Sequence, residues 1–350
     1  MHRRPARSGI VAAAPRKSRR TLGLEGIRFL HMVVLRWSKC AALAALVVTS
    51  GGCSISKLAV NRAGDALSQG TSSFATDDDP ELIAAAAPFS LKLMESLLAQ
   101  SPDHLGLLTA TASGFTQYSY GFVQTEAELL DATDYVRAQA TRVRARKLYL
   151  RARDYGLRGL GVSHPGFAEQ LRTDPEQAVR QCRKADAGLL YWTAAAWTAA
   201  IALAKDDPSL VSDLRKPQVM MDRALELDEA YGDGAIHSFL IAYSMARPDL
   251  TAPPVEVARK HYARALELAR GTLAGPHVTY AESVCVALED RACFDQAIQA
   301  ALAVDPDAAP EHRLENVLMQ RRAAWMSTQV DRWFLPPLPP DDSPPTGVNP

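Results

Sequence analysis

Apolar residues recur at helical spacing along most of the chain, in segments separated by short breaks rich in Asp, Ser and Pro. Positions three and four residues apart share one face of a helix, so this periodicity predicts amphipathic helices. The alternating β-branched runs that are typical of strands do not occur. The predicted helices cover residues 83–100, 105–130, 133–160, 177–184, 189–203, 216–227, 234–245, 255–268, 276–290, 293–304 and 310–328. The pattern therefore predicts an all-α domain.

One segment, LLYWTAAAWTAAIAL at residues 189–203, contains no charged residue, Gly or Pro. A helix that is apolar on every side is normally buried on every side. Its length at 1.5 Å per residue is about 22 Å, which is too short to cross a membrane. We therefore expect it to be the central helix of the domain. The charged residues that flank it are expected at or near water: Lys184, Asp186, Lys205 and Asp206.

Five breaks place Pro after a residue that can cap a helix: Asp79-Pro80, Ser101-Pro102, Asp174-Pro175, Asp207-Pro208 and Asp305-Pro306. Side chains of Asp and Ser accept hydrogen bonds from the free N–H groups of a first helical turn, and Pro is favoured there. Each break therefore predicts the beginning of a helix. The acidic run at residues 77–79 is interpreted as a solvated cap rather than a calcium loop.

A short motif is repeated in the second half of the chain. RALELD at residues 223–228 returns as RALELA at 264–269 and, more weakly, as AALAVD at 300–305. The separations between successive copies along the chain are close to the tetratricopeptide period of about 34 residues. Such helix pairs stack because neither helix can bury its apolar face alone. We expect a tetratricopeptide-like helical-repeat bundle or solenoid, whose concave surface suits binding better than catalysis.

The N-terminal segment predicts an export signal. Residues 1–52 hold ten of the 39 basic residues and one of the 39 acidic residues, and an apolar stretch at 40–49 precedes Ser50-Gly51-Gly52 and Cys53. Basic, apolar and small residues in this order are typical of a secretory signal. A Cys after small residues resembles a bacterial lipobox, where it is lipidated, although Ser50 replaces the usual Leu. The alternative is a plain secretory signal with Cys53 as a free thiol.

The leader is longer than usual. Met32 would begin a signal of ordinary length, which makes residues 1–31 an upstream extension; alternatively, Ser18-Arg19-Arg20 begins a twin-arginine signal. We expect a leader at 1–52, a lipidated tether at 53–76, the helical domain at 77–334 and a disordered Pro-rich tail at 335–350. Ser54 favours anchoring in the outer membrane, by analogy with sorting in enteric bacteria.

Charge and cysteine content narrow the function. Without the leader, 29 basic and 38 acidic residues remain, so the acidic body argues against nucleic acid as its partner.

Beyond Cys53 the chain has Cys182, Cys285 and Cys293, an odd number that predicts no disulfide framework. Cys285 and Cys293 are also too far apart to bridge within one regular helix. No metal-site spacing of Cys and His occurs, and no cofactor is expected.

His237 is the residue that most resembles a catalytic group. On a regular helix Asp233 would lie one turn before it and could orient it as a base, with Ser238 beside it. A cap or a hydrogen-bonded core histidine is the more common role. No metalloprotease, nucleophile-elbow or P-loop motif occurs, so we assign no catalytic residue and expect no enzyme. An envelope hydrolase that uses His237 is the alternative from a different class.

Several short stretches occur together and in a fixed order. They are FATDDDPEL (74–82), PFSLKLMESLL (88–98), SPDH (101–104), GFTQYSY (114–120), LYLRARD (148–154), LYWT (190–193), GAIH (234–237), the repeat at 264–269 and RLEN (313–316). The set resembles the T-component (TatT) family, helical lipoproteins associated with TRAP transporters. The resemblance implies a tetratricopeptide-like all-α body, a lipid anchor, a periplasmic setting and a TRAP solute-binding protein as partner. It also implies that members oligomerise and carry an apolar cavity for a hydrophobic ligand.

The resemblance makes a set of aromatic residues and one histidine candidates for the lining of that cavity. Three of them share a helix face through i, i+3 and i+7 spacing, and three belong to the apolar central segment. The alternative for each residue is ordinary core packing. The candidates are Phe115, Tyr118, Phe122, Tyr191, Trp192, Trp197 and His237.

The first functional hypothesis is a lipid-anchored periplasmic accessory protein of a TRAP-type transport system. It binds the solute-binding protein and a small hydrophobic ligand. The alternative is a general tetratricopeptide scaffold lipoprotein of an envelope complex, with a packed interior. A basic face at residues 137–153 could steer an acidic partner or an anionic solute, or could be a solvated face paired with Asp131, Asp134 and Asp154.

Overall fold

The computed structural model describes residues 60–66 and 72–334, and these form helices and turns with no strand among them. The all-α prediction is confirmed. From residue 72 onward the α-helices are α1 (Ser72–Ala75), α2 (Pro80–Gln100), α3 (Leu105–Tyr118), α4 (Thr125–Leu130), α5 (Tyr135–Ser163), α6 (Phe167–Thr173), α7 (Pro175–Arg180), α8 (Ala187–Ala202), α9 (Pro208–Val211), α10 (Arg215–Leu227), α11 (Ala235–Ala246), α12 (Pro254–Leu268), α13 (Gly275–Tyr280), α14 (Arg291–Leu302) and α15 (Arg313–Thr328). Residues 60–66 are also helical. All described residues belong to one compact unit.

Shorter helical segments complete this part of the chain. Two are π-helical, π1 (Ser119–Gln124) and π2 (Ala281–Cys285). Single 3₁₀ turns lie at Lys184–Asp186, Tyr231–Gly234, Pro310–His312 and Val330–Arg332. The sequence pattern predicts no helix for residues 161–174, but α6 lies there. Its first residue, Phe167, is fully buried, so tertiary packing stabilises a helix whose own periodicity is too short to detect.

The apolar segment is a buried helix, as predicted. Helix α8 packs against α3, α5 and α10, and Leu190, Ala194 and Ala200 are each 0% exposed. An added Cβ at Gly156 of α5 would collide with the Thr193 hydroxyl, so glycine permits the close approach of α5 and α8.

The expectation that every charge flanking α8 lies at water is wrong for one residue. Asp186 is only 7% exposed. Its Oδ2 accepts a hydrogen bond from the backbone N–H of Arg183 at 2.8 Å and lies 3.0 Å from Nε2 of His164. These partners compensate the desolvation of a buried carboxylate. Lys184, Lys205 and Asp206 are exposed as expected.

Three of the five Asp/Ser-Pro breaks begin helices as predicted. Asp79, Asp174 and Asp207 accept hydrogen bonds from backbone N–H groups of α2, α7 and α9. Ser101 instead ends α2, and His104 caps α3 through Nδ1. Asp305 accepts from the N–H of Asp307 in a turn, and the next helical turn begins at Pro310. The prediction fails at these two breaks because a second local turn follows the Pro.

In the second half, the alanine of each repeated motif has the same environment. Ala224 in α10, Ala265 in α12 and Ala301 in α14 are all fully buried. Helices α11 and α12 pack closely, and α13, α14 and α15 pack on one another. Neighbour-to-neighbour packing of this kind is what the repeat predicts. The tetratricopeptide assignment itself stays a prediction.

Two π-helical segments interrupt the regular helices. Residues 105–130 are helical throughout, as predicted, but the helix is π-helical over π1, which contains Gly121. An ideal Cβ at Gly121 would lie 3.3 Å from Leu318 Cδ1, so α15 packs closely against π1. Segments of this kind are rare and frequently occur at functional sites. They bring Tyr120 and Glu282 toward the same helix, α15.

The cysteine prediction is wrong in one respect, because Cys285 and Cys293 form a disulfide with a Cα–Cα distance of 5.5 Å. A bridge within one regular helix would indeed be impossible. However, π2 ends at Cys285, the chain turns, and α14 begins at Arg291. The two thiols therefore face each other across a turn rather than along a helix. Cys182 remains a buried free cysteine.

The predicted leader at 1–52, Cys53, Met32 and the tail at 335–350 lie outside the described residues. Helix α2 is long and apolar enough to cross a membrane by composition. Its inner face is buried in the domain, however, with Ile83 and Leu91 each 4% exposed. Its outer face is exposed, with Phe89 75% accessible, so α2 packs on the domain through one face.

Candidate functional site

A buried ion-pair cluster joins the two ends of the described domain. Arg322 of α15 is 7% exposed. Its Nη1 donates to Glu128 Oε2 at 2.5 Å, and its Nη2 and Nε donate to the carboxylate of Glu282 at 2.6 and 3.2 Å. A buried guanidinium is tolerated only when it is paired and hydrogen-bonded, as it is here. We call Arg322, Glu128 and Glu282 the buried ion cluster.

Tyr120 of π1 lies close to this cluster. Desolvation raises the pKa of Tyr120 to about 12, although nearby Arg322 opposes the shift. The residue nevertheless keeps 38% of its surface accessible, so it also reaches solvent. We call the partly accessible space around Tyr120 the Tyr120 recess.

Aromatic side chains of α8 form a second group with Tyr231. Desolvation, and then the charge of Glu315, raise the pKa of Tyr191, with Tyr231 and Tyr120 contributing in the same direction. Tyr191 is 9% exposed, and its ring centroid lies 4.8 Å from Trp192 and 5.6 Å from Tyr231. Trp192 Nε1 donates to the Tyr231 hydroxyl at 2.9 Å. Tyr231 was not among the predicted site residues, because it follows a helix in a short turn that carries no periodic signal.

Trp197 lies apart from Tyr191 and Trp192. It is 4% exposed, and Arg153 and Lys216 lie over its ring at 5.0 and 5.7 Å from the centroid. Its Nε1 is buried with no hydrogen-bond partner in the described part of the chain. The three aromatic residues of α8 therefore do not form one lining surface.

The predicted aromatic stripe of α3 and π1 also divides between two environments. Phe115 is 3% exposed and stacks on Tyr155 at 6.2 Å between centroids. Tyr118 and Phe122 contact each other at 5.7 Å. Phe122 lies in π1, where the wider turn changes the direction of later side chains. Phe115 is therefore core, and Phe122 faces a surface groove.

That groove has a volume of about 280 Å³ and lies between α2, α4, π1 and α15. Its apolar walls include Phe122, Leu129 and Trp325, and Arg322 of the buried ion cluster also lines it. At its rim, Arg321 Nη2 donates to Glu81 Oε2 at 3.2 Å. Among the predicted candidates, Phe122 lines this groove.

His237 does not form the predicted base–orienter pair. It is 6% exposed, its Nδ1 lies 2.9 Å from Nδ1 of His261, and Glu229 Oε2 lies 3.5 Å from its Nε2. Desolvation lowers its pKa, and Glu229 opposes that shift.

Its neighbours in sequence also face away from it. Asp233 has a φ of 52° before α11 begins, and its Oδ2 contacts His312 Nε2 at 3.0 Å. Ser238 Oγ donates to the carbonyl of Gly234 at 3.2 Å. The geometry is that of a core histidine pair rather than a nucleophile with a base.

The basic face of α5 is largely matched by carboxylates. Arg137 contacts Glu126 at 2.6 Å, Arg153 contacts Asp154 at 2.7 Å, and Arg142 pairs with Asp131. Asp134 accepts from a backbone N–H as the cap of α5. These contacts favour the solvated-face interpretation over long-range steering of a partner.

Comparisons with known proteins show the family of this chain. The family of the TRAP transporter T-component matches residues 76–334. An uncharacterized protein of Treponema pallidum (strain Nichols) is 33% identical over 266 residues, which covers 75% of this chain and 82% of the relative. The match spans the described helical domain from α2 to α15, including both π segments. The chain therefore belongs to the TRAP transporter T-component family.

Proposed function

We propose that this protein is a lipid-anchored periplasmic accessory component of a TRAP-type transport system. It binds the solute-binding protein of that system and holds a small hydrophobic ligand between its helices. The observation that carries the proposal is the family match over residues 76–334. An accessory role in transport, in the cell envelope, follows from the family. The anchor at Cys53, the partner and the ligand are the parts that we add.

The Tyr120 recess supports the ligand. Tyr120 keeps 38% of its surface accessible beside the charged side chain of Arg322, so a ligand could reach both residues there. Aromatic walls with a few polar tips are typical of small-molecule sites. In this proposal the Tyr191–Trp192–Tyr231 group supplies aromatic walls, and the buried ion cluster supplies charge. The ligand would therefore be apolar along its body, with a polar group toward Arg322.

Binding rather than bond-making is the mechanism. His237 contacts His261 and Glu229, and Ser238 is engaged with the helix backbone. Transfer of a hydrophobic solute requires a site that shields apolar surface from water and releases it on contact with a partner. Burial of apolar area contributes about 25 cal/mol per Å², so a small ligand is held reversibly.

The second candidate is a general scaffold lipoprotein without a ligand. The tight burial of Phe115, Tyr191 and Trp197, at 3%, 9% and 4% exposure, favours it. A packed interior retains no small molecule, and the outer surface of the repeats then performs the whole function.

Native mass spectrometry separates the two candidates. The protein is measured alone and after mixing with the solute-binding protein of a TRAP system from the same organism. A stable complex, together with a mass increment that organic extraction removes, supports the accessory component with its ligand. Protein that carries no ligand and forms no complex with the solute-binding protein supports the scaffold function instead.

A further inference from the structure

Three side chains that are separated in sequence meet outside the Tyr120 recess. One donor atom each from His164, Cys182 and Asp186 lies within 4.8 Å of the other two. The side chains are an imidazole, a thiol and a carboxylate, which are the ligand types that zinc takes in proteins. Their spacing of 18 and four residues matches no metal motif. The site is therefore formed by the fold alone.

Each donor is fixed by backbone structure. His164 ends α5, with its N–H bonded to Leu160 O at 2.8 Å. Cys182 follows α7, and its carbonyl accepts from Arg223 Nη2 at 2.9 Å. Asp186 ends the 3₁₀ turn before α8, and the N–H of Arg183 donates to its carboxylate at 2.8 Å. The first two contacts fix the backbone of His164 and Cys182, and the third orients the ligating carboxylate of Asp186 itself, which strengthens metal binding.

The donors are close enough together for one ion to replace the hydrogen bond between two of them. His164 Nε2 and Asp186 Oδ2 are 3.0 Å apart. Two ligands at about 2.0 to 2.2 Å from one zinc ion lie roughly 3.3 Å from each other in a tetrahedral site. A small movement of the Cys182 thiol completes a third position. The fourth is left for water, because the side chains of His164 and Asp186 keep 12% and 10% of their surface accessible.

We propose that His164, Cys182 and Asp186 bind one zinc ion per chain. The thiol loses its proton to solvent on binding, so a thiolate, a carboxylate and a neutral imidazole face a divalent cation and the site is electrically neutral. Calcium and magnesium are disfavoured, since they prefer sets of oxygen ligands. A role as a catalytic Cys–His–Asp group is disfavoured too, because Cys182 is 1% exposed and no substrate reaches it.

The position indicates a structural role. The three ligands come from the end of α5, the turn after α7 and the turn that leads into α8. A metal ion here ties the central helix to the long helix that packs on it. Binding to the native state alone shifts unfolding to higher temperature in proportion to the logarithm of the metal concentration.

The test uses the full-length chain, stripped with a chelator and then dialysed against ZnCl₂. We expect about one bound zinc ion per chain by elemental analysis and a rise in Tm. Loading with Co²⁺ gives a thiolate-to-metal absorption band in the near ultraviolet, which reports directly on Cys182. Cys182→Ser and His164→Gln lose the band and the bound zinc. Asp186→Asn, which keeps the shape of the side chain, weakens zinc binding by at least about tenfold.

Matched controls address the other thiols and imidazoles. Cys53→Ser removes a thiol outside the described domain, and His261→Gln removes the His237–His261 pair. Both variants are expected to keep the zinc and the band. Circular dichroism shows that each variant is folded. Wild-type protein without stoichiometric zinc, or a Cys182→Ser variant that binds zinc like the wild type, overturns the proposal.

Discussion

Arg322 in α15 donates a hydrogen bond to Glu128 in α4, at 2.5 Å and across 194 residues of sequence. The same guanidinium forms a two-point contact with Glu282 in π2. One side chain thus links the first helices of the domain with its last long helix. Because Arg322 is buried, its charge depends on these two carboxylates. The contact is therefore both a connection in the fold and a polar boundary of the Tyr120 recess.

Arg322→Met removes the charge while keeping the length of the side chain. Two carboxylates are then left without their counter-charge, and both still reach some solvent. We expect a loss of about 3 kcal/mol in the free energy of unfolding, at the lower end for a broken buried pair. Urea unfolding at pH 7 measures it.

The adjacent residue supplies the control for that variant. Arg321 pairs with Glu81 at the surface, where the two side chains are 52% and 73% exposed. Arg321→Met is therefore expected to cost under about 1 kcal/mol. If the two variants lose equal free energy of unfolding, burial does not increase the contribution of Arg322 to stability.

Reduction of the Cys285–Cys293 disulfide gives a second prediction. The bridge closes a short loop, with the two cysteines eight residues apart. Restriction of the unfolded chain by a loop of that length stabilises the native state by about 2 to 3 kcal/mol. The Tm of the wild-type protein should fall when a reductant is added. In the Cys285→Ser/Cys293→Ser double variant the reductant should leave the Tm unchanged. A wild-type Tm that also stays unchanged with reductant would contradict the bridge.

The features that the sequence predicts correctly are local ones. The caps at Asp79, Asp174 and Asp207 depend on residues two or three positions away, and the buried helix α8 depends on its own composition. The failures at Ser101 and Asp305 arise because Pro follows a possible cap in an ordinary turn as readily as at a helix start. A rule that considers only a capping residue and the Pro after it therefore cannot distinguish a turn from the beginning of a helix.

The features that the sequence does not predict depend on contacts between residues that are distant in sequence. Nothing near Asp186 indicates that His164 lies 3.0 Å away, and nothing near Glu128 indicates Arg322. Among the predicted cavity residues, Tyr191 and Trp192 lie together, whereas Phe115, Trp197 and His237 have separate environments. Helical spacing places side chains on a face of one helix, but the facing helix decides what that face contacts. Tyr120 was missed for this reason.

Histidine titration makes stability depend on pH in two opposite directions. Contacts with Glu315 and Asp233 raise the pKa of His312 from 6.5 to about 9, against the effect of burial. Its stabilising contribution is fully present below about pH 6.5 and is lost as the pH rises through 9. We expect His312→Gln to flatten the decline of stability between pH 6.5 and 9, as measured by urea midpoints.

His261 provides the opposite case in the same protein. Desolvation, then the nearby charge of His237, lowers the pKa of His261 from 6.5 to about 4. Its neutral form is favoured in the folded state, so the contribution is present above pH 6.5 and is lost as the pH falls toward 4. His261→Gln should therefore flatten the acid side of the profile and leave the alkaline side unchanged. A His312→Gln variant that alters the acid side instead would show that these contacts are assigned to the wrong groups.

The proposed ligand site can be tested at Trp192, which donates a hydrogen bond to Tyr231. Trp192 contacts Tyr191 at 4.8 Å between ring centroids, and in the proposed function its ring forms part of the wall of the ligand site. Trp192→Ala removes apolar contact surface worth about 1.5 to 3 kcal/mol when fully used. We expect affinity for an apolar fluorescent probe such as anilinonaphthalene sulfonate to fall at least about tenfold. Leu129→Ala, in the surface groove, is the control and should keep the affinity of the wild type. If both variants lose the probe equally, it binds in the groove; if the wild type binds none, the interior is packed and the scaffold function is favoured.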